Sequence, residues 1–142
     1  MFAKMTLVFL SIFLVACNDK DDAIKQQDCS TAICTLNFVT ITVSVKDPAG
    51  EAIALDSYEV IDTATKEDLA ADLNGEEYQY LKEQGFYPII SDANRVQYQN
   101  ATATLTFKGY IDNQEVIKQD YEVGADCCHV SLITGNTEIV LE

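Results

Sequence analysis

The stretch TATLTFKGYIDNQEVIKQDYEV, residues 102–123, contains two runs of alternating apolar and polar residues, 102–111 and 115–123, on either side of Asp112-Asn113. Alternation with a period of two is typical of a β-strand that has one buried face. Aspartate and asparagine tolerate the left-handed backbone conformation that a two-residue hairpin turn requires. The stretch therefore predicts an antiparallel hairpin.

Further short strands are indicated on either side of this hairpin. They share β-branched or alternating apolar residues bounded by turn residues, and they comprise 38–45, 52–61, 86–90 and a last hairpin of 127–133 with 137–141. Pro88 predicts a sheet edge or a strand start for its run, because proline has no N–H to donate to a neighbouring strand. Short strands with little helix predict an all-β, mainly antiparallel, Ig-like or transthyretin-like sandwich.

The middle of the chain predicts one short helix. Thr65 as a hydroxyl N-cap and Asp68 as an acid three residues later begin an apolar run that ends at Gly75. Residues 76–84 are expected to add a second helical turn ending at Gly85. The alternative is a polar excursion between two strands.

Residues 1–16 have the pattern of a bacterial lipoprotein signal peptide. Lys4 is the one charge before position 17, residues 5–13 are apolar, and LVAC at 14–17 resembles a lipobox, in which a peptidase cuts before a cysteine whose sulfur carries diacylglycerol. The apolar run is shorter than the roughly 20 residues that cross a bilayer core. We expect Cys17 to be lipidated; the alternative is an ordinary cleaved signal peptide.

Three parts of the chain follow from this pattern: the signal peptide 1–16, a lipidated flexible acidic tether 17–33, and a β-sandwich domain 34–142. The acidic run DKDD at 19–22 resembles the signal by which one group of Gram-negative bacteria exports lipoproteins to the outer face of the outer membrane. A solvated linker is the alternative. The expected location is the outer membrane, lipid-anchored at the cell surface or else on the periplasmic face.

The chain is strongly acidic. Its formal net charge is −14, and removal of a leader that holds one lysine and no acid changes this to −15. Such a charge repels the phosphates of nucleic acid. It also disfavours electrostatic binding to anionic headgroups, so the expected contact with a membrane is the lipid anchor itself.

Four cysteines besides Cys17 predict disulfides in an oxidising compartment: Cys29, Cys34, Cys127 and Cys128. A bridge between two adjacent cysteines is strained. We therefore expect two long-range bridges from the first pair to the second, in an order that spacing leaves open. Each closes a loop near 100 residues and is worth roughly 4.7 kcal/mol in the chain-entropy model. Because adjacent residues on a regular strand face opposite ways, Cys127 and Cys128 require a bulge or bridges on both sides.

A metal site is the alternative use of the same residues. Cys127, Cys128 and His129, with the first cysteine pair, have the ligand types of a zinc or copper site. Residues 72–77 place oxygen ligands around a glycine, as calcium loops do, but lack the EF-hand register. We expect disulfides, no cofactor, and a partly buried His129 bonded to backbone. A nucleophilic cysteine paired with His129 is not expected, because an oxidised thiol cannot act as a nucleophile.

GADCCHV (124–130), TEIVL (137–141), YPIISD (87–92) and FKGYI (107–111) together resemble an uncharacterised family of bacterial surface lipoproteins, whose members are labelled hypothetical or carboxypeptidase regulatory-like. The strand–turn–strand at 38–61 is likewise similar to the start of transthyretin-like sandwiches of that regulatory class. This resemblance implies a fold and a location, and it implies no activity.

The function expected from these patterns is non-enzymatic binding or scaffolding in the envelope. The chain has no serine elbow, no phosphate loop and one histidine. An envelope protein or a glycan is the expected partner. Six tyrosines could stack on sugars or lie half-buried on strands: Tyr78, Tyr80, Tyr87, Tyr98, Tyr110 and Tyr121. Asp62-Thr63-Ala64 resembles a bacterial O-glycosylation site.

Overall fold

The computed structural model describes residues 28–71 and 76–142. The strands within these ranges are β1 Thr40–Lys46, β2 Ser57–Asp62, β3 Phe86–Ser91, β4 Thr102–Ile111, β5 Gln114–Ala125, β6 Val130–Thr134 and β7 Glu138–Val140. The helices are α1 Glu76–Glu83 and α2 Arg95–Tyr98, with 3₁₀ turns at Leu69–Ala71 and Asp92–Asn94.

The strands form two sheets, in the orders β3-β1-β7 and β2-β4-β5-β6. Neighbouring strands are antiparallel, except that β7 runs parallel to β1. The predicted all-β, mainly antiparallel sandwich is therefore confirmed. Pro88 lies in β3, an edge strand of the three-stranded sheet, where its missing N–H costs no ladder bond.

The core contains apolar side chains from both sheets. Val43 and Val45 of β1 are fully buried in one cluster with residues of β2, β3, β4 and β5. The ring of Tyr58 packs within this cluster, with its centroid 5.4 Å from that of Tyr87 and 5.7 Å from that of Phe107. Alternation along each strand supplies these buried positions, so burial of apolar surface is the main term that favours the sandwich.

The central hairpin forms as its sequence predicts. β4 pairs with β5 from Thr102↔Gly124 to Ile111↔Gln114, with one register shift at Gly109/Tyr110. Asp112 and Asn113 have φ of +52° and +61°. Positive φ at both turn residues is the type I′ geometry, whose twist matches that of the paired strands.

The prediction of a helix beginning at Thr65 is wrong. Lys66 has φ of +66°, and its N–H donates to the carbonyl of Asp62 at 2.8 Å, so the chain turns tightly here. Only the 3₁₀ turn Leu69–Ala71 follows. The longest helix among the described residues is α1, in the second predicted stretch, and it is followed by Gly85 with φ of +72°. The calcium-loop prediction depends on residues 72–75, which lie outside the described residues.

The prediction of a last hairpin is also wrong. β6 pairs with β5, whereas β7 crosses to the other sheet and pairs with β1 through Ser44↔Glu138. Gly135 makes this crossing with φ of +129°, and the hydroxyl of Tyr121 donates to the carbonyl of Asn136 at 2.7 Å. The crossing places β7 in the three-stranded sheet, beside β1.

No helix in the described part of the chain combines the length and apolarity needed to span a bilayer.

Candidate functional site

The two adjacent cysteines lie in a turn. A turn, unlike a regular strand, does not force neighbouring side chains to point to opposite faces. Cys127 and Cys128 fall between β5 and β6. Asp126 Oδ1 accepts the N–H groups of Cys128 at 2.6 Å and His129 at 2.8 Å, and Asp126 N–H donates to the His129 carbonyl at 3.1 Å. The N–H groups of His129 and Cys128 lower the pKa of the Asp126 carboxyl. In this turn both cysteines can form bridges to the same segment, which neighbouring residues of a regular strand could not readily do.

Both long-range disulfides are present, and their order is Cys29–Cys127 and Cys34–Cys128. The paired residues are separated by 98 and 94 positions. The bridges attach the segment before β1 to the β5–β6 turn, whereas the predicted strand 127–133 would have placed both cysteines within a strand. Covalent attachment begins at Cys29, five residues before the predicted start of the sandwich domain at 34.

Asp92 is the polar centre of this end of the sandwich. Its Oδ2 accepts the N–H of Val39 at 2.8 Å and lies 2.8 Å from His129 Nδ1, while Oδ1 accepts the N–H of Val130 at 2.9 Å. Its own N–H donates to the carbonyl of Val39 at 2.9 Å. Burial alone would raise the pKa of Asp92, but these donors outweigh it and hold the pKa below its usual range. One carboxylate thus ties together β3, β6 and the residues before β1.

His129 bonds to side chains, which corrects the prediction of a backbone-bonded histidine. Its Nδ1 faces Asp92, and its Nε2 lies 3.0 Å from the hydroxyl of Thr35. The imidazole is partly exposed. No local pattern predicts this contact, because residues 35, 92 and 129 lie on three separate segments that only the fold and the disulfides bring together.

The order carboxylate, imidazole, hydroxyl is that of a hydrolase triad. An acyl-transfer site also needs hydrogen-bond donors, commonly backbone N–H groups, directed at a developing oxyanion. The nearby amides of Val39, Cys128, His129 and Val130 are instead bonded to Asp92 or Asp126. The array is better suited to holding segments together than to acyl transfer.

The Asp92–Asn94 turn and α2 complete this end of the molecule. Ser91 caps the 3₁₀ turn in a capping box with Asn94. Arg95, at the start of α2, donates from its guanidinium to the carbonyl of Cys127. The serine and the asparagine three residues later are a detectable capping signal, so sequence reasoning could have found this turn.

The sulfur atoms of the four cysteines are oxidised and are not thiolate ligands in this structure. Within residues 28–71 and 76–142, no group of three or more His, Cys, Asp or Glu side chains is arranged to hold a metal ion. The geometry gives Cys127, Cys128 and His129 structural roles that are incompatible with a shared thiolate site.

Most described tyrosines serve the core and do not form a binding face. Tyr87, Tyr98 and Tyr121 are buried, and burial raises the pKa of each hydroxyl. The Tyr98 hydroxyl donates to Asp62 Oδ2 at 2.9 Å. This hydrogen bond gives the buried carboxylate of the Asp62-Thr63-Ala64 motif a partner within the protein. Tyr80 is the described tyrosine with large exposure.

An exposed apolar strip lies on the disulfide-bonded segment. We define the strip as the residues Ile33, Leu36 and Phe38, which are 97%, 104% and 63% exposed. The same segment is uncharged: no Asp, Glu, Lys, Arg or His occurs between Asp28 and Lys46. In a chain with a net charge of −14, this neutral apolar surface is a candidate for contact with a partner.

Searches with this chain matched no protein-family model, no curated protein and no solved structure. The predicted lipidation site Cys17, the signal peptide 1–16 and the acidic run 19–22 lie outside the described residues.

Proposed function

We propose that this protein is a lipid-anchored module of the bacterial cell envelope with a non-enzymatic binding or scaffolding role. The observation that carries the proposal is the pair of disulfides Cys29–Cys127 and Cys34–Cys128, which use every cysteine except Cys17. Cys17 alone is then left for the acyl chemistry that the preceding LVA sequence favours. The five cysteines divide into four with a structural role and one with an anchoring role.

The compartment follows from redox chemistry. Structural disulfides persist outside the reducing cytoplasm, in the periplasm or at the cell surface. A leader ending at position 16 would export the chain to that side, and several acyl chains on Cys17 would hold it there, at about 0.8 kcal/mol per buried CH₂. The acidic run 19–22 supports display on the outer face of the outer membrane.

A binding role is supported by what the structure does with its reactive groups. His129, Asp92 and the cysteines are used to join segments at one end of the sandwich. An envelope protein or a glycan is the proposed partner. A thiolate metal site would first require reduction of both bridges.

Anchoring is tested by expressing Cys17→Ser beside a tether control, Gln27→Ser, in a Gram-negative host. We expect the parent and Gln27→Ser to remain with membranes after a high-salt wash and to incorporate labelled palmitate. Cys17→Ser should be released into the soluble envelope fraction without label. Equal membrane retention of all three chains would contradict the lipid anchor.

Surface display is tested separately by protease treatment of intact cells. The parent chain should be digested, while a variant with Asp19, Asp21 and Asp22 changed to Asn should be protected inside the outer membrane. A control with Gln26 and Gln27 changed to Asn should behave as the parent. Full protection of the parent would place the protein on the periplasmic face.

A further inference from the structure

We infer that the apolar strip of Ile33, Leu36 and Phe38 contacts the lipid bilayer and docks the disulfide end of the sandwich on the membrane. This inference rests on the proposed lipid anchor at Cys17 and adds a defined orientation to it. The occupant is a bilayer with zwitterionic headgroups, recognised by apolar side chains on an uncharged segment.

The strip is exposed because its segment is held in place from both sides. Cys29 and Cys34 are covalently bound to the β5–β6 turn. Thr35 bonds His129 at 3.0 Å, and the N–H of Val39 donates to Asp92 at 2.8 Å. The apolar side chains at 33, 36 and 38 alternate with these attachment points and remain in solvent. Because the segment is already ordered, binding through it pays little additional conformational entropy.

The position of the anchor indicates which surface covers the strip. Eleven peptide bonds separate Cys17 from Asp28. Even a fully extended chain of that length spans at most about 40 Å, so the anchored strip would stay close to the headgroups. The bilayer is therefore present at a high effective concentration.

A second copy of the chain fits the strip less well. Each copy carries a net charge of −14, so two copies repel each other. Three side chains also fall well short of the roughly 800 Å² per partner that stable protein interfaces bury. A zwitterionic bilayer carries no net charge that would repel the chain, and insertion of a few apolar side chains needs no large protein interface.

The chain contains no tryptophan, which allows a single-site fluorescence test. Two single-tryptophan variants are compared, Leu36→Trp in the strip and Tyr80→Trp in α1. Tyr80 is a matched exposed control at the other end of the sandwich: α1 is followed by Gly85, whose carbonyl bonds Val45 N–H near the end of β1, whereas the strip precedes the start of β1. Each mature oxidised chain is coupled through Cys17 to a maleimide lipid in phosphatidylcholine vesicles.

We expect the emission of Leu36→Trp to shift to shorter wavelength and to be quenched by brominated acyl chains, with Tyr80→Trp unchanged. A second measurement uses chains that are not coupled to lipid and whose Cys17 is blocked. Adding Ile33→Ser to the Leu36→Trp chain should lower its partition coefficient into vesicles about tenfold, as expected for loss of one buried apolar side chain. Quenching of both probes by aqueous iodide alone would overturn the inference. A blue shift that grows with protein concentration without bromine quenching would also overturn it, in favour of self-association.

Failure of this inference is distinguishable from failure of the proposed function. The maleimide coupling supplies a lipid at Cys17 whether or not cells attach one. A membrane-inserted Leu36→Trp probe with no natural acylation of Cys17 would retain the docking surface and refute the anchor. Natural acylation with a solvent-exposed probe would retain the anchor and refute the docking surface.

Discussion

Removal of the disulfides should destabilise the protein in a strongly non-additive way. With both bridges intact, the chain holds one long loop, closed by Cys29–Cys127 across 98 positions. The second bridge, Cys34–Cys128, then closes only a small ring of residues 29–34 and 127–128. In the chain-entropy model a ring of about eight residues is worth about 2.5 kcal/mol, whereas a loop near 100 residues is worth about 4.7 kcal/mol.

The perturbation is paired substitution by alanine, which leaves no free thiol and no polar group at the buried position of Cys127. Loss of either bridge alone should lower the free energy of unfolding by about 2.5 kcal/mol, because the other bridge still closes the long loop. Loss of both should lower it by about 7 kcal/mol. This pattern also revises the sequence-based expectation that each bridge separately contributes the full long-loop value.

Urea unfolding of the four chains without reductant, with Cys17 blocked, measures these differences. The slope of the free energy against urea should increase markedly only when both bridges are absent, since the unfolded chain then exposes more surface. Single losses near 4.7 kcal/mol each, adding to twice that value in the double variant, would refute the shared-loop reasoning.

Three further substitutions test local features of the structure. Asp92→Asn should lower the free energy of unfolding by about 3 kcal/mol through loss of charge-assisted hydrogen bonds. The folded pKa of Asp92 lies below 3.8, so its contribution should be complete above that value and be lost as pH falls through the folded pKa; a pH-independent difference between parent and variant would contradict this. Gly135→Ala should cost about 3 kcal/mol or more, because φ is +129° and a Cβ would approach Tyr121 to 2.3 Å; an unchanged melting temperature would show that the crossing can relax. Ser44→Ala should be neutral or stabilise by up to about 1 kcal/mol, because the buried hydroxyl has no hydrogen-bond partner within the described residues; clear destabilisation in chemical unfolding would reveal a partner.

Local patterns in the sequence predict the strands well. The hairpin around Asp112-Asn113 depends on alternation and turn chemistry, and both act within a few residues of each other. Pro88 indicates an edge strand for an equally local reason, its missing N–H. The failed helix at Thr65 shows the limit of such patterns: the acid at 62 caps a turn and bonds Tyr98, a tertiary contact that overrides the local helix signal.

Long-range pairing could not be predicted in the same way. β7 has the alternation of a hairpin partner for β6, but it pairs with β1, nearly 100 positions earlier in the chain. The choice depends on which sheet has a free edge, and single-sequence periodicity does not encode that. The disulfides show the same limit. The number and positions of the cysteines predict two bridges, but which cysteines pair depends on the folded geometry around the Asp126 turn.

The site at the disulfide end was predictable only in part. Residue type singles out the cysteines and His129, and they do lie together. Residue type does not single out Asp92, because an aspartate after a strand is common in any turn. Its role follows from donors on two other segments, Val39 before β1 and His129-Val130 at the start of β6, which only the folded chain brings to Asp92.

The central claim is that Cys17 is acylated while the other four cysteines are oxidised, and intact-mass spectrometry of the chain purified from membranes tests it most directly. Denaturation with an alkylating agent and without reductant should give a chain that begins at Cys17, carries the mass of attached acyl chains, and contains no alkylated cysteine. Alkylation only after reduction should then add four groups. An unmodified N-terminus, or alkylation of the four cysteines before reduction, would contradict the account.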